Sequence, residues 1–308
     1  MAEPRPRWRP LLAALIVGAG LVYLAVLAAR ESEAFLRAVR EFRPAELLLA
    51  ALAALAMQAL KALYHLRLCL RLGAPREAKV SLLRAYAVAQ VVRYLPGKVW
   101  GLVYQAERLS AWLPPSRVLL ANALQMLQTN LMASGIILGT LGIVWLGAPW
   151  ALAATLLLAA VVELLHRWPA LERLLLALWA RLRRRPLAWT EIPADRWIAT
   201  AILVLEWLAY YLMWWLLFGP RMPAAEWLLL STWYAAASLL AILVVVVPGG
   251  LAVREALFVA LGGMGSGEGA GALVAYAALL RALLWSGEIA LVLVLGLGAP
   301  ARRAEARG

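Results

Sequence analysis

The sequence predicts an all-α polytopic membrane protein of about six full spans plus two broken re-entrant hairpins, or eight spans if the broken segments cross, arranged as two inverted repeats. Three observations carry that expectation. Of 308 residues 65% are hydrophobic and 15% charged, with a mean hydropathy of +0.80. Several apolar runs reach the ~20 residues that cross a bilayer core. Two Pro-Gly breaks, Pro96-Gly97 and Pro248-Gly249, stand 152 residues apart inside apolar sequence.

Composition also bounds the domain count. No stretch of ordinary polar composition is long enough for a separate soluble domain, so 1–308 reads as a single membrane domain. Cys69 is the single cysteine, which excludes an internal disulfide. The net charge of +13 sits in short segments that flank apolar runs. There it sets topology and touches anionic lipid, and nucleic acid is not expected as a partner.

The elements follow with charges as punctuation. Span one covers 11–29 behind Arg5, Arg7 and Arg9. A basic start and an apolar run also fit a secretory signal ending at "VLAAR", but nineteen apolar residues exceed a usual signal core, so an uncleaved span is expected. Span two covers 45–66, opened by Pro44 and closed by Arg67 and Arg71. An apolar segment at 80–109 is broken at "RYLPGKVWG". Spans three and four, 118–146 and 148–165, are joined at a Gly-Ala-Pro turn. The basic stretch within 167–195 has the Leu and Trp spacing of an amphipathic helix lying on the cytoplasmic membrane surface. Span five covers 197–218, a second segment at 224–262 is broken at "VPGG", and the last span covers 271–298.

Spacing organises these pieces into halves. Spans two and five start 152 residues apart, as do the two breaks, and spans three and six follow at nearly the same offset. The chain therefore reads as a first half at 11–146 and a second at 148–298. If each broken segment enters and leaves on one side, the cytoplasmic side collects Arg67, Arg71, Arg76, Lys79, Arg108, Arg117, Arg181 to Arg185 and the basic termini. That asymmetry puts both termini in the cytoplasm and inverts the halves.

The breaks mark the candidate site. In hydrocarbon every backbone amide needs a partner, so a Pro-Gly break at membrane depth belongs where protein or a watery cavity surrounds it. Pro248 ends the incoming helix, and Gly249 and Gly250 permit a tight turn with close backbone approach. The next helix then aims its unpaired N–H groups at the break, a setting for an anion that Arg254 strengthens one turn later, with Glu255 beside it. In the first half Arg93, Tyr94 and Lys98 flank Pro96-Gly97. The other reading is a kinked full span in which Arg254 pairs with Glu255 or snorkels to the interface.

Ionisable residues inside spans add Glu206, Arg281 and Glu288. Arg281 and Glu288 are seven apart and share a face of the last helix, where they bridge to Glu255 and Arg254 or form a structural ion pair. His65, beside Lys61 and Arg67, reads as an interface residue. Most of the fifteen Trp fall near span ends as an aromatic belt, and Trp207, Trp214 and Trp215 read as packing.

An inventory of reactive groups argues against an enzyme and against a cofactor. Metal chemistry needs clustered Asp, Glu, His or Cys, and the chain has one Asp, Asp195, and two distant His, His65 and His166. The serines lie without a nearby His, so no Ser-His-acid arrangement is expected. A membrane-embedded transferase using Glu as base is the remaining enzymatic reading.

The stretches "RYLPGKVWGLVYQAERL", "VPGGLAVREALFVAL" and "YAALLRALLWSGE" resemble the lysylphosphatidylglycerol synthase transmembrane family over roughly residues 40–298. The second stretch is the most specific, with the family's Pro-Gly-Gly and Arg-Glu falling on Pro248, Gly249, Gly250, Arg254 and Glu255. Arg281 and Glu288 fall where that family's final helix carries Arg and Glu. Gln125 and Gln128 stand where the family often has an acidic pair, and Lys98 where it often has a second glycine. The resemblance implies a protein of the bacterial or archaeal cytoplasmic membrane that moves or binds lipid headgroups. It implies no synthase activity, because this sequence carries no aminoacyl-transferring domain. The expected function is a lipid flippase or headgroup transporter, with a membrane phospholipid or other anionic lipid as partner. The competing expectation is a non-transporting scaffold or regulator that binds lipid or partners a lipid- or glycan-modifying enzyme.

Overall fold

The computed structural model describes residues 36, 40–94, 100–146, 177–178, 180–181, 193–243, 253–263 and 268–297. Among them the chain is helical without strands: α1 (Pro44–Arg71), α2 (Lys79–Val92), α3 (Trp100–Arg108), α4 (Pro115–Leu146), α5 (Pro193–Phe218), α6 (Ala224–Leu243), α7 (Val253–Gly262) and α8 (Ala270–Leu297). Within them Pro44–Arg71, Pro115–Val144, Trp197–Phe218 and Ala270–Gly296 are long and apolar enough to cross a membrane. The expected spans at 11–29 and 148–165 lie outside the described residues. So does most of the 167–195 linker, of which 177, 178, 180, 181 and 193–195 are described and helical.

Local chemistry sets the helix ends. Pro44 opens α1 at the first helical position, and the Glu46 carboxylate accepts from the Arg43 N–H at 2.9 Å. Span two was expected over 45–66 with Arg67 and Arg71 closing it, and the helix runs to Arg71 with Leu68 and Cys69 buried. It stops where Gly73 takes φ +94°, donating to Leu70 O while the Ala74 N–H returns to Cys69 O. Pro115 and Pro193 likewise begin α4 and α5 three and four residues before the expected starts.

The long helices run in two directions. Lys61 meets Glu206 and Glu46 meets Arg221, so α1 and α5 are antiparallel. Gln58 reaches Glu288 on α8, while Phe218 lies against both Phe42, before α1, and Tyr276 on α8, so α8 runs with α1. Gln125 meets His65 and Thr140 meets Tyr211, so α4 runs with α5. In hydrocarbon no hydrophobic drive brings helices together, and small residues govern close approach. Ala50, Ala53 and Ala54 of α1 are buried accordingly, and a Cβ on Gly287 of α8 would lie 2.9 Å from the Ala54 carbonyl carbon.

Each short pair folds back on itself. α2 follows the end of α1 through a 3-10 turn at Arg76–Ala78, and α3 leads into the start of α4, which Arg117 ties to Leu72 O at 2.8 Å. The α2–α3 hairpin thus enters and leaves at the end of the bundle where α1 finishes, called the near end here. α6 follows α5, and α7 ends at Gly262, which approaches Leu230 early in α6 and Leu273 early in α8. The α6–α7 hairpin therefore enters from the opposite, far end. A core of Tyr64, Leu72, Leu82, Leu109, Leu113 and Leu203 fills the near end, and an aromatic one with Phe42, Trp214, Phe218, Tyr234 and Phe258 fills the far end.

Candidate functional site

A cavity of about 610 Å³ lies where the two hairpins approach each other. Its lining takes Gln58 and Lys61 from α1, Arg93 and Tyr94 from the end of α2, Gln105 from α3, a polar stripe of Asn122, Gln125, Thr129 and Asn130 from α4, Glu206 and Tyr210 from α5, Tyr234 and Ser238 from α6, Arg254 from α7 and Glu288 from α8. The stripe on α4 follows the three-to-four spacing of one helix face, which is why a long apolar helix turns amides and hydroxyls to one side.

At the first tip Arg93 Nη2 donates to Glu288 Oε1 at 2.5 Å, and Nη1 donates to Gln90 Oε1 at 2.6 Å. The same Glu288 oxygen accepts from Tyr94 OH at 3.3 Å and Gln58 Nε2 at 3.4 Å. Glu288 is 2% exposed, and its Oε2 has no donor among the described residues. Three donors on one oxygen and none on the other leave the carboxylate able to take a further hydrogen-bond donor from the cavity.

At the second tip Arg254 Nε and Nη2 donate to Glu255 Oε1 at 3.2 and 3.1 Å. Arg281 Nη1 stands 3.0 Å from that same oxygen and is 2% exposed. One carboxylate so holds two guanidinium groups. Each tip arginine also faces a tyrosine ring, Arg93 at 5.2 Å from the Tyr94 centroid and Arg254 at 5.1 Å from the Tyr234 centroid, and Arg281 lies 4.8 Å from the Trp285 centroid.

Of the site residues expected from sequence, Arg93, Tyr94, Arg254 and Glu288 line the cavity, and Glu255 and Arg281 stand directly behind Arg254. The expected bridge from the last helix is half as drawn: Arg281 reaches Glu255, but Glu288 serves Arg93 rather than Arg254. Pro96, Gly97, Lys98, Pro248, Gly249 and Gly250 lie outside the described residues.

Sequence reasoning passed over Lys61, Gln58 and Tyr234. Lys61 was legible as a lone charge seventeen residues into an apolar helix. His65 corrects an expectation: it does not face the interface but is fully buried, stacked on Tyr86 at 4.6 Å with Nδ1 2.8 Å from Gln125 Oε1. Gln125 in turn donates to Tyr86 OH at 3.0 Å and to Lys61 O at 3.2 Å, so an amide stands where one ionised carboxylate would have no way to donate. Trp214 is buried as expected, whereas Trp215 is 51% exposed and packs little. Among the described residues no group of three or more His, Cys, Asp or Glu is placed to hold a metal ion.

No family model, no curated protein and no solved structure matches this chain. The family resemblance therefore rests on the residues quoted from the sequence.

Proposed function

We propose that this chain is a lipid flippase or lipid-headgroup transporter of the lysylphosphatidylglycerol synthase transmembrane type, in a bacterial or archaeal cytoplasmic membrane with both termini cytoplasmic. The observation that carries the reading is the cavity of about 610 Å³, set among helices apolar enough to cross a membrane, into which both hairpin ends bring an arginine. Putting a charged side chain at mid-bilayer costs about 2.5 to 3.5 kcal/mol even on the lenient insertion scale, so such residues mark pathways more than packing. The arrangement of the long helices supports inverted halves: α1 runs against its counterpart α5, α4 against α8, and the hairpins enter from opposite ends. An anionic phosphodiester headgroup suits paired guanidinium forks and the tyrosine, glutamine and asparagine donors around them.

The test is lipid movement in liposomes carrying the purified protein, with fluorescent phosphatidylglycerol, phosphatidylethanolamine and phosphatidylcholine in separate preparations. Movement of at least one headgroup that Arg254→Gln abolishes and Arg254→Lys partly retains is the expected result. Wild-type rates in Arg254→Gln overturn the site. One observation favours a second reading as a non-transporting scaffold, namely that Glu255 already holds Arg254 and Arg281. On that reading Arg254→Gln fails to accumulate while Arg254→Gln with Glu255→Gln accumulates well.

A further inference from the structure

The cavity contains a second charge pair that the headgroup reading leaves unused. Lys61 Nζ of α1 lies 3.7 Å from Glu206 Oε1 of α5, and both residues line the cavity shared with Arg93 and Arg254. Glu206 is 8% exposed, and its buried Oε2 meets no donor among the described residues.

The two other acids of the site are held differently. Glu288 Oε1 takes three donors, one of them a guanidinium, and Glu255 stands against two guanidinium groups. Glu206 instead faces a single ammonium at a long 3.7 Å separation, with a whole oxygen left over. His65 follows Lys61 by one turn on α1, and the cavity lining adds Tyr86 of α2, Arg93 just past its end, Tyr210 of α5 and Tyr234 of α6. Arg254 and Glu288 line the same cavity, Glu288 bonded to Gln58 three residues before Lys61, and α4 presents uncharged Gln125, Thr129 and Asn130.

We propose that Glu206 is a proton-binding site linked to anion occupancy of the cavity. A proton from water adds to the Glu206 carboxylate, and the 3.7 Å contact with Lys61 loses its charge attraction. The Lys61 ammonium then joins the tip arginines on a phosphodiester group. Binding of the anion and of the proton each tighten the other by the same factor, since linkage between sites is reciprocal. The proposal rests on the headgroup reading for its anion and on the Glu206 geometry for its proton.

The experiment uses the full chain in nanodiscs of phosphatidylcholine, with dihexanoyl phosphatidylglycerol as probe, a phosphodiester whose own charge is constant across the pH range. Its affinity is expected to rise about tenfold for each pH unit of acidification through the Glu206 titration, the slope for one linked proton. Glu206→Gln is expected to bind with pH-independent affinity, and His65→Gln to keep the wild-type slope. Infrared difference spectra taken between high and low pH, without probe, are expected to show a protonated-carboxyl band that Glu206→Gln removes. Lys61→Arg, whose forked guanidinium offers donors to both carboxylate oxygens, is expected to move that band to lower pH and stands in if Glu206→Gln does not fold. A carboxyl band unchanged in Glu206→Gln, or unmoved in Lys61→Arg, overturns the proton site. A probe affinity flat with pH in the wild type, or no probe binding at all, overturns the linkage. Failure of lipid movement in liposomes is a separate result: it removes the transport reading and leaves both of these measurements interpretable.

Discussion

The two hairpins end in the same ingredients, an arginine, a tyrosine ring about 5 Å from it and a carboxylate, yet connect them differently. Arg93 draws its carboxylate from α8, in the other half of the chain, and shares it with Tyr94 and Gln58. Arg254 takes its carboxylate from the next residue in sequence, and Arg281 competes for the same oxygen. The first tip is thus a tie between elements distant in sequence, and the second is a local charge cluster pinned to α8. The difference predicts that damage at the first tip changes how α2 is held against α8, whereas damage at the second unbalances buried charge.

The largest expected effect comes from breaking the second cluster. Glu255→Gln removes the carboxylate that Arg254 and Arg281 share, and leaving buried charge uncompensated costs about 3 to 5 kcal/mol. Unfolding in detergent should start at markedly lower temperature, and Glu255→Gln combined with Arg281→Met should recover part of the loss. Glu288→Gln should cost less, because its amide still accepts from Arg93 and the Arg93 side chain is 43% exposed to the cavity. Equal losses in the two variants would break the comparison.

Next in size is the close packing at one glycine in the second limb of each hairpin. A Cβ on Gly101 would lie 2.7 Å from the Ala89 carbonyl oxygen, a backbone atom inside α2 that has no room to retreat. At Gly262 the nearest atoms are Leu273 methyls at 3.1 Å, which turn aside by rotation. Gly101→Ala is expected to destabilise by about 1 to 3 kcal/mol, the usual range for overpacking, and Gly262→Ala by well under that. Thermal unfolding of the two variants side by side decides it.

How much of this was legible beforehand follows from the kind of signal each residue leaves. Breaks and apolar runs are local, so the long helices followed from the apolar runs, Pro44 and the charge punctuation, while Pro115, Pro193 and Gly73, which set observed helix ends, were passed over. Whether each broken segment returns to its own end or crosses was left open by sequence, because equal spacing of the breaks marks repetition and not direction. Pairings were harder. Arg281 with Glu255 emerged from shared helix faces, but Glu288 with Arg93 depends on how α8 lies against α2, which spacing does not encode. Lys61 and Glu206 went unpaired on paper because antiparallel α1 and α5 bring together residues 145 apart. His65 looked interfacial since basic neighbours surround it in sequence, yet a helix turns each successive residue by a hundred degrees, and His65 turns inward.

The smallest effect is the sharpest probe of the two tips, since Tyr→Phe keeps the ring beside each arginine and removes one hydroxyl. At the first tip Tyr94 OH donates to Glu288 and accepts from Arg93, each at 3.3 Å, long bonds whose joint loss should cost about 1 kcal/mol. At the second tip the Tyr234 hydroxyl is buried without a hydrogen-bond partner among the described residues. A buried hydroxyl with no partner is a penalty already present in the fold, so Tyr234→Phe should be neutral or raise stability by up to about 1 kcal/mol. In lipid-bound protein the sign should reverse if that hydroxyl serves the headgroup: Tyr234→Phe should then weaken binding of dihexanoyl phosphatidylglycerol severalfold while stabilising the empty protein. Destabilisation of the empty protein by Tyr234→Phe would show that the hydroxyl is already engaged, and the two tips would be alike after all.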